Sequence, residues 1–539
     1  MTDSVHAASM DRAGVVTRRR FIARAAALAA VAPTLGSKGA DAVPRRTPSY
    51  IPVRVQAQDV PLYDLEVWEA ADLIRRGVIS PVELAQATLE RIEAVESRVL
   101  AFANRYPADE VLAQAQAAAD EIARGEYRGP LHGITVGVKD IFLTEGKVTE
   151  GNSKLYTGFV PDFDATSVTR LKEAGAVIVG KTGTSELATG SSWPANNPWD
   201  LRRTPGGSSS GSGAGVGASE CLIGMGTDTG GSIRGPAANC GVTGFKPTYG
   251  TISLHGVLPL AWSMDHPGPL VHSARDAALL VDAIGGDDSL DPHTRKVARY
   301  RLADALAWEP GPRPLEGVVV GVPVEDDYLM DVANDDELDA FREVTDVMRS
   351  LGADVRTVRT RVLLPGLTST QSFYMIIRSA EVAAYQYDNL LTQPENMSGP
   401  YLSRVSAGVL MPGHAYMQAQ RVRRLWRDQL LTVFDEVDVL IHPAGDIAGM
   451  QDDDLPVSRA EQEDSQDSTQ GTRTRSGSKT NIWNLSGAPS VAIPTGLSTA
   501  ENMPLSMQVA GYPGRDDVVL RVADAFQQVT DHHKARPPL

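Results

Sequence analysis

Cysteine is nearly absent from this chain, with only Cys221 and Cys240 in 539 residues. Two thiols are too few for a disulfide framework or a tetrahedral zinc site. The ten histidines are scattered and nowhere form the HExxH pattern of a zinc helix. No catalytic metal and no cofactor are expected. Basic charge is also in deficit, with 51 Lys and Arg against 67 Asp and Glu and a net charge of −16. Nucleic acids are bound by clustered Lys and Arg that neutralise phosphates. The acidic balance therefore argues against a nucleic-acid partner and reads as solubility.

What is present begins at the N-terminus. Thr17-Arg18-Arg19-Arg20-Phe21-Ile22 is similar to a twin-arginine export signal. The apolar stretch over 21–35, interrupted by Arg24, is too short to span a bilayer but suits a signal core. Ala40-Asp41-Ala42 offers small residues for cleavage after Ala42. Residues 1–42 are read as a signal peptide and 43–60 as a Pro-rich connector. An exported protein without a stable membrane anchor is the resulting expectation, with a basic tail as the alternative.

Beyond the connector, Ser80-Pro81-Val82-Glu83 reads as an N-cap, a proline at the first helical position and a capping-box glutamate. Leu84, Thr88, Ile92 and Val95 then recur at helical spacing. Helical stretches are expected over Gln114–Ala123, Arg275–Ile284 and Asp335–Leu351, and β-like runs over Gly133–Val138, Ala176–Val179 and Val318–Val322. Interleaved strands and helices predict an α/β layer architecture. Residues 451–480 are polar, charged and poor in large apolar side chains, the composition of a flexible insertion.

Three Gly/Ser patterns compete for the chemistry. Gly175-Ala-Val-Ile-Val-Gly180-Lys181-Thr182 satisfies the P-loop expression. Its interior is mostly β-branched and favours a strand over a phosphate-cradling loop, so Lys181 is better read as ending a buried strand. Gly207-Ser208-Ser209-Ser210-Gly211 satisfies the GxSxG elbow, with Ser209 as the nucleophile of a Ser-His-Asp esterase. Turn formers precede it where an elbow needs a strand, and it stays as an alternative.

The third pattern takes the region whole. Pro205-Gly206-Gly207-Ser208-Ser209-Ser210-Gly211-Ser212-Gly213 leads into Gly226-Thr227-Asp228-Thr229-Gly230-Gly231-Ser232-Ile233-Arg234 and on through Gly241–Gly250. Upstream stands Gly133-Ile-Thr-Val-Gly-Val-Lys139-Asp140, and weaker likeness runs through Asp265–Pro269, Asn481–Pro489 and Leu505–Gly511. These segments resemble the amidase signature family, across most of residues 60–535.

The resemblance implies a single α/β domain over 61–539, a twisted mixed β-sheet covered by helices on both faces. It implies an amidohydrolase acting on a small amide-type substrate, with anilide, carbamate or ester hydrolysis also open, and with Lys139 as base, Ser208 as a bridging serine on a cis peptide bond, and Ser232 as nucleophile. Backbone N–H groups of Thr229, Gly230, Gly231 and Ser232 would form the oxyanion hole, the two glycines giving the backbone freedom to turn them inward. Asp228 and Arg234 would support this loop. A lysine base must lose charge near neutral pH, which burial at the end of Ile134–Val138 would favour; alone, Lys139 would read as the ion-pair partner of Asp140. His255, His266 and His272 are read as structural. Tyr374, Met375 and Tyr401 are candidates for an acyl pocket or for core, and Trp193 and Trp262 share that ambiguity. The family also includes an ammonia-releasing amidotransferase subunit, which works with partners in the cytoplasm. A catalytically dead binding protein and that ammonia-releasing protein complete the alternatives.

Overall fold

The structure is a computed structural model that describes residues 60–306, 308–309, 311–330, 335–360, 370–445, 448–449 and 477–539. The stretches read as signal peptide and connector lie outside the described residues, apart from Val60. So does the polar stretch up to residue 476. Its last four residues correct the expectation of a flexible segment to 480, because they open a helix over Gly477–Ser486. Lys479 and Thr480 are buried there, and the same helix buries Ile482, Trp483 and Leu485.

Among the described residues, eleven strands form one sheet: β1 (Phe102–Arg105), β2 (Thr135–Lys139), β3 (Val177–Thr182), β4 (Ile223–Asp228), β5 (Thr243–Lys246), β6 (His266–Val271), β7 (Val319–Pro323), β8 (Asp354–Val358), β9 (Val439–Pro443), β10 (Ser490–Leu497) and β11 (Pro504–Gly511). Their order across the sheet is β1-β3-β2-β4-β6-β5-β10-β11-β9-β7-β8. Parallel pairs flank an antiparallel centre: β2 runs parallel to β3 and β4, and β7 to β8 and β9. The architecture is the mixed α/β sheet with helices on both faces that the sequence implies.

Local signals explain the expected elements. The helix after Ser80 spans Pro81–Val99, and Ser80 Oγ accepts from Glu83 N while Ser80 N donates to Glu83 Oε2. Leu84, Thr88, Ile92 and Val95 form its buried face. The Ala-rich helix starts earlier than expected, at Ala108 directly after Pro107. The Gly175–Thr182 pattern is a strand and not a P-loop, for β3 is buried along its whole length. Burial on both faces is what a β-branched run in a parallel sheet satisfies.

Besides the helix Gly477–Ser486, three helices matter for the site. The first, α1 (Ser210–Gly217), is built from small residues that are all buried. A Cβ on Gly211 would collide with the Ala101 carbonyl and the Gly183 backbone, so glycine lets this helix lie directly on its neighbours. The second, α2 (Arg234–Cys240), follows β4, and the third, α3 (Gln371–Thr392), lies in the second half of the chain.

Candidate active site

Lys139 ends β2, and the neighbouring parallel β4 ends at Asp228. Parallel neighbours bring their C-terminal ends to one edge, where α/β sheets place ligands. The loop preceding α1 carries Ser208 to that edge, and the turn between β4 and α2 carries Ser232. The Ser209 N–H donates to the Ser232 carbonyl at 3.3 Å, which joins the two serine loops. The Gly207–Ser208 peptide bond is cis.

Lys139 is completely buried and its Nζ lies 2.9 Å from each of three hydroxyls, those of Ser208, Ser209 and Thr227. Burial pushes its pKa down to about 7, against the opposing charges of Asp228 and Asp265. A neutral amine has two N–H donors and one lone pair, which three hydroxyls satisfy. Ser209 donates its own hydrogen to the Thr227 carbonyl at 3.2 Å, so toward Lys139 it acts as acceptor. The lone pair is left for Ser208 or Thr227. Asp140 is not the partner of Lys139: it faces Lys181 Nζ at 3.5 Å. Burial lowers Lys181 to about 8 and raises Asp140 to about 6.

The serines differ in access. Ser209 is fully buried and Ser208 nearly so, whereas Ser232 is half-buried. Among the described residues the hydroxyl partners of Ser209 are Lys139 and Thr227, neither of them a histidine. This does not fit a Ser-His-Asp elbow, which needs its serine exposed on a strand-to-helix turn.

Asp228 and Arg234 fix the Ser232 loop. Arg234 Nε and Nη2 donate to the two Asp228 carboxylate oxygens at 3.0 Å each, with both side chains out of solvent. Burial alone would raise the Asp228 carboxyl, but the Arg234 guanidinium and the Lys246 ammonium hold it well below the usual carboxylate range. The remaining Arg234 donors reach Gln508 and Asn484, 2.8 Å each, so the closing segments of the chain brace this pair. Asp228 also accepts from the N–H groups of Gly231 (2.7 Å) and Ile233 (3.1 Å).

That contact engages one of the four backbone N–H groups of the Thr229–Ser232 turn. Gly231 N–H is turned onto Asp228, while the N–H groups of Thr229, Gly230 and Ser232 have no acceptor among the described residues. Gly231 has φ +127°, which glycine alone adopts readily. The turn is enclosed by Thr480, whose hydroxyl donates to the Gly230 carbonyl at 2.5 Å, and by Thr229 Oγ1, which donates to Asp265 Oδ1 at 2.5 Å.

Thr227, Asp265, Thr480, Asn484 and Gln508 thus belong to the site although sequence reasoning assigned them no role. Thr227 stood inside the signature, and Asp265, Asn484 and Gln508 lay in the weaker matching segments. Of the pocket candidates, Tyr374 reaches the site, its hydroxyl standing where a Cβ on Gly230 would fall. Met375 lies under Arg378, whose Nη2 is 3.1 Å from its sulfur. Tyr401 is wholly buried and belongs to the core. Trp193 and Trp262 are half-buried, Trp193 donating to the Leu100 carbonyl at 2.8 Å. His266 and His272 are buried, and His255 is held near Thr166.

The Amidase family model matches residues 83–520. The chain belongs to the amidase signature family. It is similar to a glutamyl-tRNA(Gln) amidotransferase subunit of Geobacter sp. (strain M21), 36% identical over 513 residues, covering 89% of this chain and all of that protein. Among solved structures it is similar to 6-aminohexanoate cyclic dimer hydrolase, with a TM-score of 0.76 at 26% identity over 89% of this chain and 99% of that one. A peptide amidase bound to the competitive inhibitor chymostatin gives a TM-score of 0.74 at 27% identity, covering 89% of this chain and all of that one. The chain is therefore an amidase signature enzyme acting on C–N bonds.

The expectation of export is corrected by the first of these relatives. Its whole length is matched by this chain, and it is named as a subunit of glutamyl-tRNA(Gln) amidotransferase, not as an exported protein. The basic-then-apolar N-terminus that carries the likeness to an export signal lies outside the described residues.

Proposed function

We propose that this chain hydrolyses a carboxylic amide through a seryl acyl-enzyme. The observation that carries this reading is the buried Lys139, near pKa 7 and 2.9 Å from Ser208 Oγ. Ser232 Oγ attacks the carbonyl carbon and passes its proton through Ser208 to neutral Lys139. The N–H groups of Thr229, Gly230 and Ser232 hold the oxyanion, and Gly231 keeps the turn on Asp228. The proton returns through Ser208 to the leaving nitrogen as the C–N bond breaks. Water then cleaves the seryl ester by the same relay. The catalytic unit in this reading is 61–539.

A second reading names the amide as the side chain of glutamine, with the chain serving an amidotransferase as its ammonia-releasing part. Its full-length likeness to an amidotransferase subunit favours this. So does Arg404, whose Nη1 is buried without a hydrogen-bond partner among the described residues. Burial, then Arg378, lower its pKa to about 10, and Arg378 lies 5.3 Å from the centre of the Tyr374 ring. Tyr374 covers Gly230, so the two guanidinium groups lie beside a side chain that touches the Ser232 turn, and together they suit a substrate carboxylate.

Ammonia release from glutamine, asparagine and neutral primary amides tests both readings. Cleavage of any of these that disappears in Ser232→Ala supports the first, and no cleavage by the purified chain opposes it. For the second, Arg404→Gln is expected to raise KM for glutamine about 10- to 100-fold and leave neutral amides unchanged. Equal use of neutral amides and no effect of Arg404→Gln would remove it.

A further inference from the structure

Leu187 and Ala188 hold left-handed backbone, with φ of +44° and +64°. Such conformations are strained in non-glycine residues and persist where the surroundings over-determine them. Here the surroundings centre on Glu186, a buried carboxylate at 2% exposure. Its Oε1 accepts from Ser153 Oγ at 2.8 Å and its Oε2 from Ser398 Oγ, while the Ser398 N–H points between both oxygens at 3.4 and 3.3 Å. A Cβ on Gly190 would stand 2.5 Å from Oε2, so the turn closes tightly on this group.

The turn touches both sides of the candidate site. Ser185 N–H donates to the Ser208 carbonyl at 3.1 Å. Leu187 N–H donates to the Gly151 carbonyl at 2.9 Å, and Gly151 N–H donates to Asp140 Oδ2 at 3.0 Å, next in sequence to Lys139. Ala188 lines a narrow cleft with Thr227, Thr229 and Asp265. On the far side, Ser398 is the N-cap of the helix Gly399–Val409, which carries Arg404.

We propose that Glu186 is a positioning residue that clamps the 185–188 turn between Ser153 and Ser398, sets Ser208 against Lys139, and couples this register to the Arg404 helix. The proposal rests on the catalytic reading above for its kinetic consequence alone. Burial raises the Glu186 carboxyl and hydrogen bonds from Ser398 and Ser153 oppose that rise; in the ionised form both oxygens accept, one from each serine. A plain helix cap would engage Ser398 without gripping a turn bonded to Ser208.

The test uses the full chain with Glu186→Ala, Glu186→Gln and Ser398→Ala. Glu186→Ala and Ser398→Ala are expected to lower kcat about 10- to 100-fold with little change in KM, the cost of a misplaced reacting group. Glu186→Gln, which keeps an acceptor, recovers most of the loss. Amide hydrogen exchange is expected to quicken in 205–212 as well as in 183–191. Faster exchange confined to 396–404 with kcat unchanged would overturn the proposal and leave a helix cap. If the wild-type chain cleaves no amide, the exchange pattern still decides the clamp while the catalytic reading fails separately. If Glu186→Ala does not fold, Ser398→Ala carries the test.

Discussion

Lys139 Nζ lies 2.9 Å from the hydroxyl of Ser208 at a point where the lysine is entirely out of water. An ammonium buried among three neutral hydroxyls gives up its proton far below its usual pH, which burial here brings to about 7. The sign follows directly. Below that value Lys139 is protonated and has no lone pair for Ser208, and above it the lone pair is free. The kcat/KM profile is therefore expected to rise with pH through about 7 and then level. Lys139→Ala is expected to remove the rising limb together with nearly all turnover. A profile flat from pH 5 to 9 would sink this account of the base.

The Asp228–Arg234 pair predicts a stability effect separable from chemistry. Breaking a buried pair by removing one partner costs about 3–5 kcal/mol. Asp228→Ala is expected to lower the denaturation midpoint accordingly, since it frees Arg234 and the Gly231 and Ile233 N–H groups at once. Urea unfolding of the two proteins measures it, and a loss under about 1 kcal/mol would contradict the bracing role.

Gly230 sits beneath the Tyr374 hydroxyl. Gly230→Ala puts a methyl group into that oxygen, an overpacking of about 1–3 kcal/mol that must move the donors beside Ser232. Activity is expected to fall sharply, and Tyr374→Phe in the same chain to recover part of it. Comparing kcat/KM of the single and double variants checks this. No recovery in the double variant would place the defect elsewhere.

How much of this was legible beforehand depends on range. The capping box at Ser80 and Glu83 and the β-branched run that became β3 are local, and their residues declare them. Lys139, Ser208 and Ser232 were carried by signature segments, and the geometry brings Lys139 and Ser208 together while joining the Ser208 and Ser232 loops through Ser209. The supports were not legible, because Thr229–Asp265, Arg234–Asn484 and Arg234–Gln508 meet only through the strand order of the sheet. The long helix α3 carries no capping-box signal, since Phe373 stands three residues after its N-cap Thr370. Thr480 was hidden in a stretch whose polar composition argued against order.

Ser209 supplies a sharper contrast. It touches Lys139 yet is sealed from solvent, so Ser209→Ala is expected to slow turnover by about tenfold through the lysine, the worth of one buried hydrogen bond. Complete loss would make Ser209 more than a support.

The most direct test of the central claim is covalent labelling of the purified chain with a fluorophosphonate, followed by peptide mass spectrometry of the modified residue. The account predicts a label on Ser232 that is absent in Lys139→Ala. A label on Ser209, or a label on Ser232 that persists at full rate without Lys139, would contradict it.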